Sequence, residues 1–278
     1  MGIKFRLIVM NFLQYAIWGS WLISLGAYLG GGLDFTGLQI GSFFATMGVA
    51  SLFMPAVMGI IADRWIPAQK LLGICHLVSG GFLIAAASQT AYGPLYSCML
   101  LSVMFYMPTI ALSNSVAYNA LDLARLDTVK HFPPIRVWGT VGFIAAMWFV
   151  DLTHIGGVQI KLTEWQLYVS AGLSFLLAVY SFSLPGCPVD RTVKARSWVD
   201  TLGLRAFTLF KEKRMAIFFV FSMLLGAALQ ITNAFGDSYI QSFGSMPQYA
   251  DSAIVKHSVI LLSLSQMSET LCILLIPF

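Results

Sequence analysis

The sequence predicts an all-α polytopic membrane protein, and three observations carry that prediction. Of 278 residues, 58% are hydrophobic and only 10% are charged, whereas a soluble domain carries about 25% charged residues. Several apolar runs reach the roughly 20 residues that a bilayer-spanning helix needs. These runs lack strand alternation and are too long for barrel strands, so helices must satisfy the backbone inside lipid.

Eight spans follow in order, at 5–28, 40–62, 71–91, 95–120, 134–155, 167–184, 215–240 and 252–278. The first begins behind Lys4 and Arg6 and runs to Tyr28. It is longer than a signal-peptide core, and no small-residue cleavage site follows it. Arg6 also occupies the position where a myristoylation motif requires Ser or Thr.

The cations assign the topology. Lys4 and Arg6 precede the first span, Arg64 and Lys70 separate the second from the third, and Arg125 and Lys130 separate the fourth from the fifth. Arg191, Lys194, Arg196, Arg205, Lys211, Lys213 and Arg214 lie between the sixth and seventh, while the other loops hold only Lys161 and Lys256. Lysine and arginine are retained on the cytoplasmic side, so the N-terminus is expected inside in a multi-pass membrane protein. The net charge of +4 therefore reports topology and implies no nucleic-acid polymer as partner.

Three units are expected: a six-helix bundle over 1–185, a cytoplasmic linker over 186–214, and the start of a second bundle over 215–278. In the linker, Trp198, Val199, Leu202, Ala206, Leu209 and Phe210 recur at helical spacing, which suggests an amphipathic helix on the membrane face. The alternative is a disordered linker. Six spans, a long basic connection and further spans is a two-bundle transporter layout. The chain stops at LCILLIPF inside the eighth span. Two helices do not mirror six, so the sequence is expected to be a fragment of a longer protein.

Cys75, Cys98, Cys187 and Cys272 form no CxxC pair, and His76, His131, His154 and His257 do not cluster. No metal and no cofactor is expected. The isolated histidines also argue against an intramembrane enzyme, which needs paired catalytic groups or histidine boxes.

Polar residues inside the spans are the candidates for chemistry. Arg136 follows Pro133 and Pro134, which suit a helix start, about one turn into the fifth span. On the residues alone an arginine there can snorkel to the interface. Yet Thr140 and Phe143 follow at i+4 and i+7, placing a charge, a hydroxyl and a ring on one face. Gln230 and Asn233, three residues apart in the seventh span, share a face. Buried amides of that kind serve as interhelical glue or as donors and acceptors for a bound molecule.

Gln266 and Glu269 repeat the spacing in the eighth span, and Glu269 is the one carboxylate deep in any span as drawn. Such an acid faces a cavity, pairs with a cation, or stays protonated. Lesser pairs are Gln14 with Trp18 and Asn114 with Tyr118, for which packing with an internal hydrogen bond is the commoner role. Gly19, Gly26, Gly80, Gly81 and Gly139 are expected to permit close helix approach.

Between the second and third spans, Gly59, Asp63 and Arg64 in GIIADRW resemble the Gly-x-x-x-Asp-Arg/Lys element of the major facilitator superfamily, degenerate in the residues that follow. NFLQYAIWGSWLISLGAYL (11–29), FMPAVMGIIADRW (53–65), FPPIRVWGTVGF (132–143) and KRMAIFFVFSMLLGAALQITNAFG (213–236) are similar to the nucleoside:proton symporters of that superfamily, the enteric nucleoside permeases among them. The resemblance covers essentially the whole chain. It implies a major facilitator fold of twelve helices, the N-terminal six-helix bundle and two helices of the second being present here.

It further implies nucleoside and proton as substrates, moved inward by alternating access in a protein that is monomeric when complete. Arg136, Thr140, Phe143, Gln230, Asn233, Gln266 and Glu269 are implied as substrate-binding residues. Glu269 is also the proton-coupling candidate, and Gly59, Asp63 and Arg64 form a conformational latch by the same resemblance. A proton-linked sugar or oligosaccharide symporter is the alternative, since hydroxyl recognition uses similar amides. A non-transporting fragment is the alternative for the chain as it stands.

Overall fold

The structure, a computed structural model, describes residues 2–189 and 209–275. Eight main helices run through it: α1 Ile3–Gly19, α2 Gly37–Arg64, α3 Ala68–Ala87, α4 Tyr92–Leu123, α5 Thr128–Leu152, α6 Trp165–Ser181, α7 Lys213–Ser242 and α8 Ser258–Leu275. Five of them (α2, α3, α4, α5 and α7) are long and apolar enough to cross a membrane. The others are shorter: α1 has 17 residues, roughly 25 Å at the helical rise. A helical continuation Leu25–Ala27 and a π turn Tyr28–Gly32 lengthen it.

Local chemistry sets several boundaries. Thr36 and Gln39 form a capping box that starts α2, satisfying donors that the first turn leaves free. Asp127 caps α5 by accepting from Val129 N at 2.9 Å. That cap starts α5 six residues ahead of the expected 134, so Pro133 and Pro134 lie inside the helix. Arg136 is consequently more than two turns into α5, which corrects its expected place near the helix mouth. The expected start of the eighth span at 252 is also divided: Ala253–Lys256 is a separate short helix, and α8 begins at Ser258.

Helix α5 packs along α1, α3 along α4 and α6, and α2 along α4. Small residues set the closest approach. A methyl group at Gly142 would collide with the Phe12 backbone, and one at Gly19 with that of Phe143, so α1 and α5 touch main chain to main chain. Of the glycines expected at such contacts, Gly19, Gly26, Gly80 and Gly139 meet neighbours, whereas Gly81 faces open space.

A two-residue hairpin pairs His154–Ile155 with Val158–Gln159. Gly156 and Gly157 sit at its tip with φ of +60° and +84°, the left-handed conformations that a tight hairpin turn demands. This hairpin marks one end of the molecule. There α7 and α8 meet the earlier helices. Gly26 abuts the Ala234 carbonyl, and Trp148 Nε1 donates to Ser263 Oγ at 2.9 Å.

The linker residues Trp198, Val199, Leu202 and Ala206 lie outside the described residues. Leu209 and Phe210 open a short 3-10 turn ahead of α7, and Phe210 stacks on Phe219 with ring centroids 4.9 Å apart.

Candidate functional site

Helix α5 presents Arg136, Thr140 and Phe143 along one face, as the i, i+4, i+7 spacing requires. They border a cavity of about 150 Å³ that is also lined by Asn233 of α7, Gln266 of α8, and Tyr15, Trp18 and Leu22. Arg136 is held there by Tyr15, whose ring centroid lies 3.8 Å from the guanidinium carbon. A partly buried cation over a ring face is attracted by about 0.5–2 kcal/mol, which orients the guanidinium without consuming all five of its donors.

A second cavity of about 570 Å³ lies between α1, α2, α4 and α7. Gln230 lines it beside Phe44, Met47, Met107 and Phe235. Trp18 borders both cavities. Its ring stands edge-on to Phe143 at 6.4 Å and is tilted against Tyr106 at 6.0 Å. The indole Nε1 of Trp18 and the amide Nε2 of Gln230 have no hydrogen-bond partner among the described residues. Buried donors of this kind are costly unless something accepts from them.

Five of the seven expected binding residues therefore share one cavity, and Gln230 borders the adjoining one. Glu269 belongs to α8, but its side chain lies outside the described residues. Gln14 turns away from both cavities. Its side-chain Nε2 donates to Thr109 Oγ1 at 2.7 Å, its Oε1 pairs with His76 Nε2 at 2.9 Å, and its backbone carbonyl accepts from Tyr106 OH at 2.6 Å. Asn114 and Tyr118 line neither cavity, and Tyr118 packs on Phe132 with centroids 4.5 Å apart. At the end of α2, Asp63 is exposed and Arg64 half-buried, with no ion pair to a described residue.

Sequence reasoning missed a second polar cluster. Asp151 near the end of α5, Lys161 after the hairpin and Asp237 of α7 are each exposed by 1% or less. Glu269 is thus not the one carboxylate to weigh, because Asp151 and Asp237 are both deeply buried. Lys161 Nζ lies 2.6 Å from Asp151 Oδ1 and donates to the Lys256 carbonyl at 2.8 Å and Ser258 Oγ at 3.3 Å. His257 Nδ1 sits 2.7 Å from Asp151 Oδ2. Ser258 Oγ donates to Asp237 Oδ1, and Gln241 donates to Asp237 Oδ2 at 2.9 Å. The available signal was Lys161 itself, one of two cations in the loops on the side opposite the basic ones.

A helical membrane fold in which α7 and α8 meet the earlier helices around these cavities is of the major facilitator type. The comparisons narrow that class. Residues 1–278 match the family described as Nucleoside H+ symporter, and the chain belongs to that family.

It is 51% identical over 278 residues to the xanthosine permease of Escherichia coli K12 and 47% identical to the nucleoside permease NupG of the same strain, covering all of this chain and 65% of each relative. Crystal structures of the nucleoside transporter NupG align with TM-scores of 0.90 and 0.87 at 47% identity. These alignments cover 100% of this chain and 68% and 67% of the NupG chains. The chain thus spans about 65% of the length of the curated relatives it matches. Those relatives are permeases, carriers rather than enzymes.

Proposed function

We propose that this chain contributes the nucleoside-binding cavity of a carrier that imports nucleosides with protons by alternating access. The observation that supports it is the single small cavity bordered by Arg136, Thr140, Phe143, Asn233 and Gln266. A nucleoside offers a flat ring, edge acceptors and donors, and ribose hydroxyls. Phe143 and Trp18 supply apolar ring surface. Arg136, Asn233 and Gln266 supply fixed donors and acceptors. The unpartnered donors of Trp18 and Gln230 point to a ligand rich in acceptor atoms. Glu269 completes the set as a ribose ligand and a coupling acid, and Gly59, Asp63 and Arg64 form the latch at the opposite end from the hairpin.

The protein works as a monomer in the bacterial inner membrane with its N-terminus in the cytoplasm, the side on which the basic loops gather. Outward-facing apolar side chains such as Leu52, Phe221 and Leu225, exposed by 71%, 66% and 62%, suit a lipid surrounding. Helices α1 to α6 form one bundle, and α7 and α8 belong to the other. The two rock about the cavity between them.

Uptake of labelled uridine by the protein at native length, with and without a proton uncoupler, tests this proposal. Saturable accumulation that the uncoupler abolishes is the expected result. Uncoupler-insensitive accumulation rejects proton drive, and competition by a simple sugar in place of nucleosides turns the assignment to the sugar class.

A further inference from the structure

The cluster at the hairpin end straddles the two groups of helices. Asp151 and Lys161 come from the α1–α6 side, while Asp237, His257 and Ser258 come from the α7–α8 side. Each bond from Lys161 or His257 to the opposite side breaks when that end opens. The buried charges do not balance, because two carboxylates face one ammonium. The Lys256 ammonium is turned away, to exposed Asp251 at 3.0 Å, and only its carbonyl takes part. The charged side chains acting on Asp237 are Lys161 and Asp151. The exposed His154 ring pairs with the Leu152 carbonyl at 3.0 Å.

We propose that this cluster is a proton-binding latch: the hairpin end of the carrier closes with one proton bound among Asp151, His257 and Asp237, and opens when that proton leaves. The physical reason is the cost of burying uncompensated charge. When the end is open, Asp151 and Lys161 remain a neutral pair, and Asp237 meets water. Closing it brings the Asp237 carboxylate against that pair and leaves one net negative charge out of water. A proton from bulk water restores neutrality.

His257 is the member through which that proton enters, being 36% exposed in its side chain while Asp151 is fully buried. The latch rests on the carrier assignment above only in requiring that this end open and close. It does not depend on which solute is carried.

The test is a distance measurement between spin labels on Ile155→Cys and Tyr249→Cys, exposed positions on opposite sides of this end. It uses the protein at native length in liposomes, with all native cysteines replaced by serine. In otherwise unaltered protein the short-distance population shrinks and a longer one grows as the pH is raised across the range in which the protein stays folded. The open-to-closed ratio rises by up to about tenfold per pH unit, the limit for one linked proton.

Asp237→Asn and Asp151→Asn each remove the surplus charge at nearly constant volume, so either variant stays closed across that range. Lys161→Ala leaves two carboxylates without their cation and favours the long distance throughout. A distribution that ignores pH without these substitutions overturns the latch, as does a pH response that is undiminished in whichever asparagine variant folds. A pH-driven distance change in protein that takes up no nucleoside leaves the latch standing and removes the proposed substrate. Uridine uptake with no distance change does the reverse.

Discussion

Arg136 stacks on Tyr15 and faces the same cavity as Thr140 and Phe143, so its donors are presented to whatever enters. Charged hydrogen bonds of this kind are worth about 1.5–3 kcal/mol, and Arg136→Ala is expected to weaken uridine binding roughly 10- to 100-fold. Arg136→Lys is expected to restore only part of the loss, because a lysine lacks the planar fork that both stacks and donates. Phe143→Ala removes about 1–3 kcal/mol of base stacking and is read as a raised KM for uptake. The α5 face was legible in the sequence because i, i+4 and i+7 positions converge by helix geometry alone. Lys161 was not. Its partners Lys256 and Ser258 are 95 and 97 residues away, and no local pattern reports an approach of that range.

At the scale of elements, the contact between α1 and α5 positions both Trp18 and Arg136. Gly142 leaves no room for a side chain against the Phe12 backbone. Gly142→Leu is therefore expected to force the helices apart at a cost of about 1–3 kcal/mol or more, seen as a lowered Tm in detergent together with weakened uridine binding. Gly81→Ala, where the added methyl meets nothing within 4 Å, serves as the control and does not lower the Tm, because alanine favours a helix interior over glycine.

Composition and periodicity predicted the helices themselves, and their ends were the weaker part. The prolines at 133 and 134 suggested a helix start, but the Asp127 cap wins by satisfying the first-turn donors earlier in the chain. The Gly156–Gly157 tip was a readable hairpin signal, hidden by drawing the fifth span through to residue 155.

At the scale of the whole molecule, the positive-inside distribution and the closure at the hairpin end make a joint prediction. Leu123, exposed by 63% at the end of α4, and Ile155, exposed by 40% in the hairpin, are predicted to lie on opposite sides of the membrane. Single cysteines at these positions are expected to react with an impermeant thiol reagent from opposite faces, Leu123→Cys in inside-out vesicles and Ile155→Cys in right-side-out ones. Reaction of both from one face contradicts the topology. The convergence of α5, α7 and α8 on one cavity is also a property at this scale, since spacing within each helix says nothing of which faces meet.

The most direct measurement is equilibrium binding of labelled uridine to the purified protein at native length, compared with Arg136→Ala and Asn233→Ala. These two variants alter opposite walls of the same cavity. The account predicts saturable binding that unlabelled nucleosides displace and simple sugars do not, weakened by at least about tenfold in each variant. Binding of unchanged affinity in both variants contradicts it.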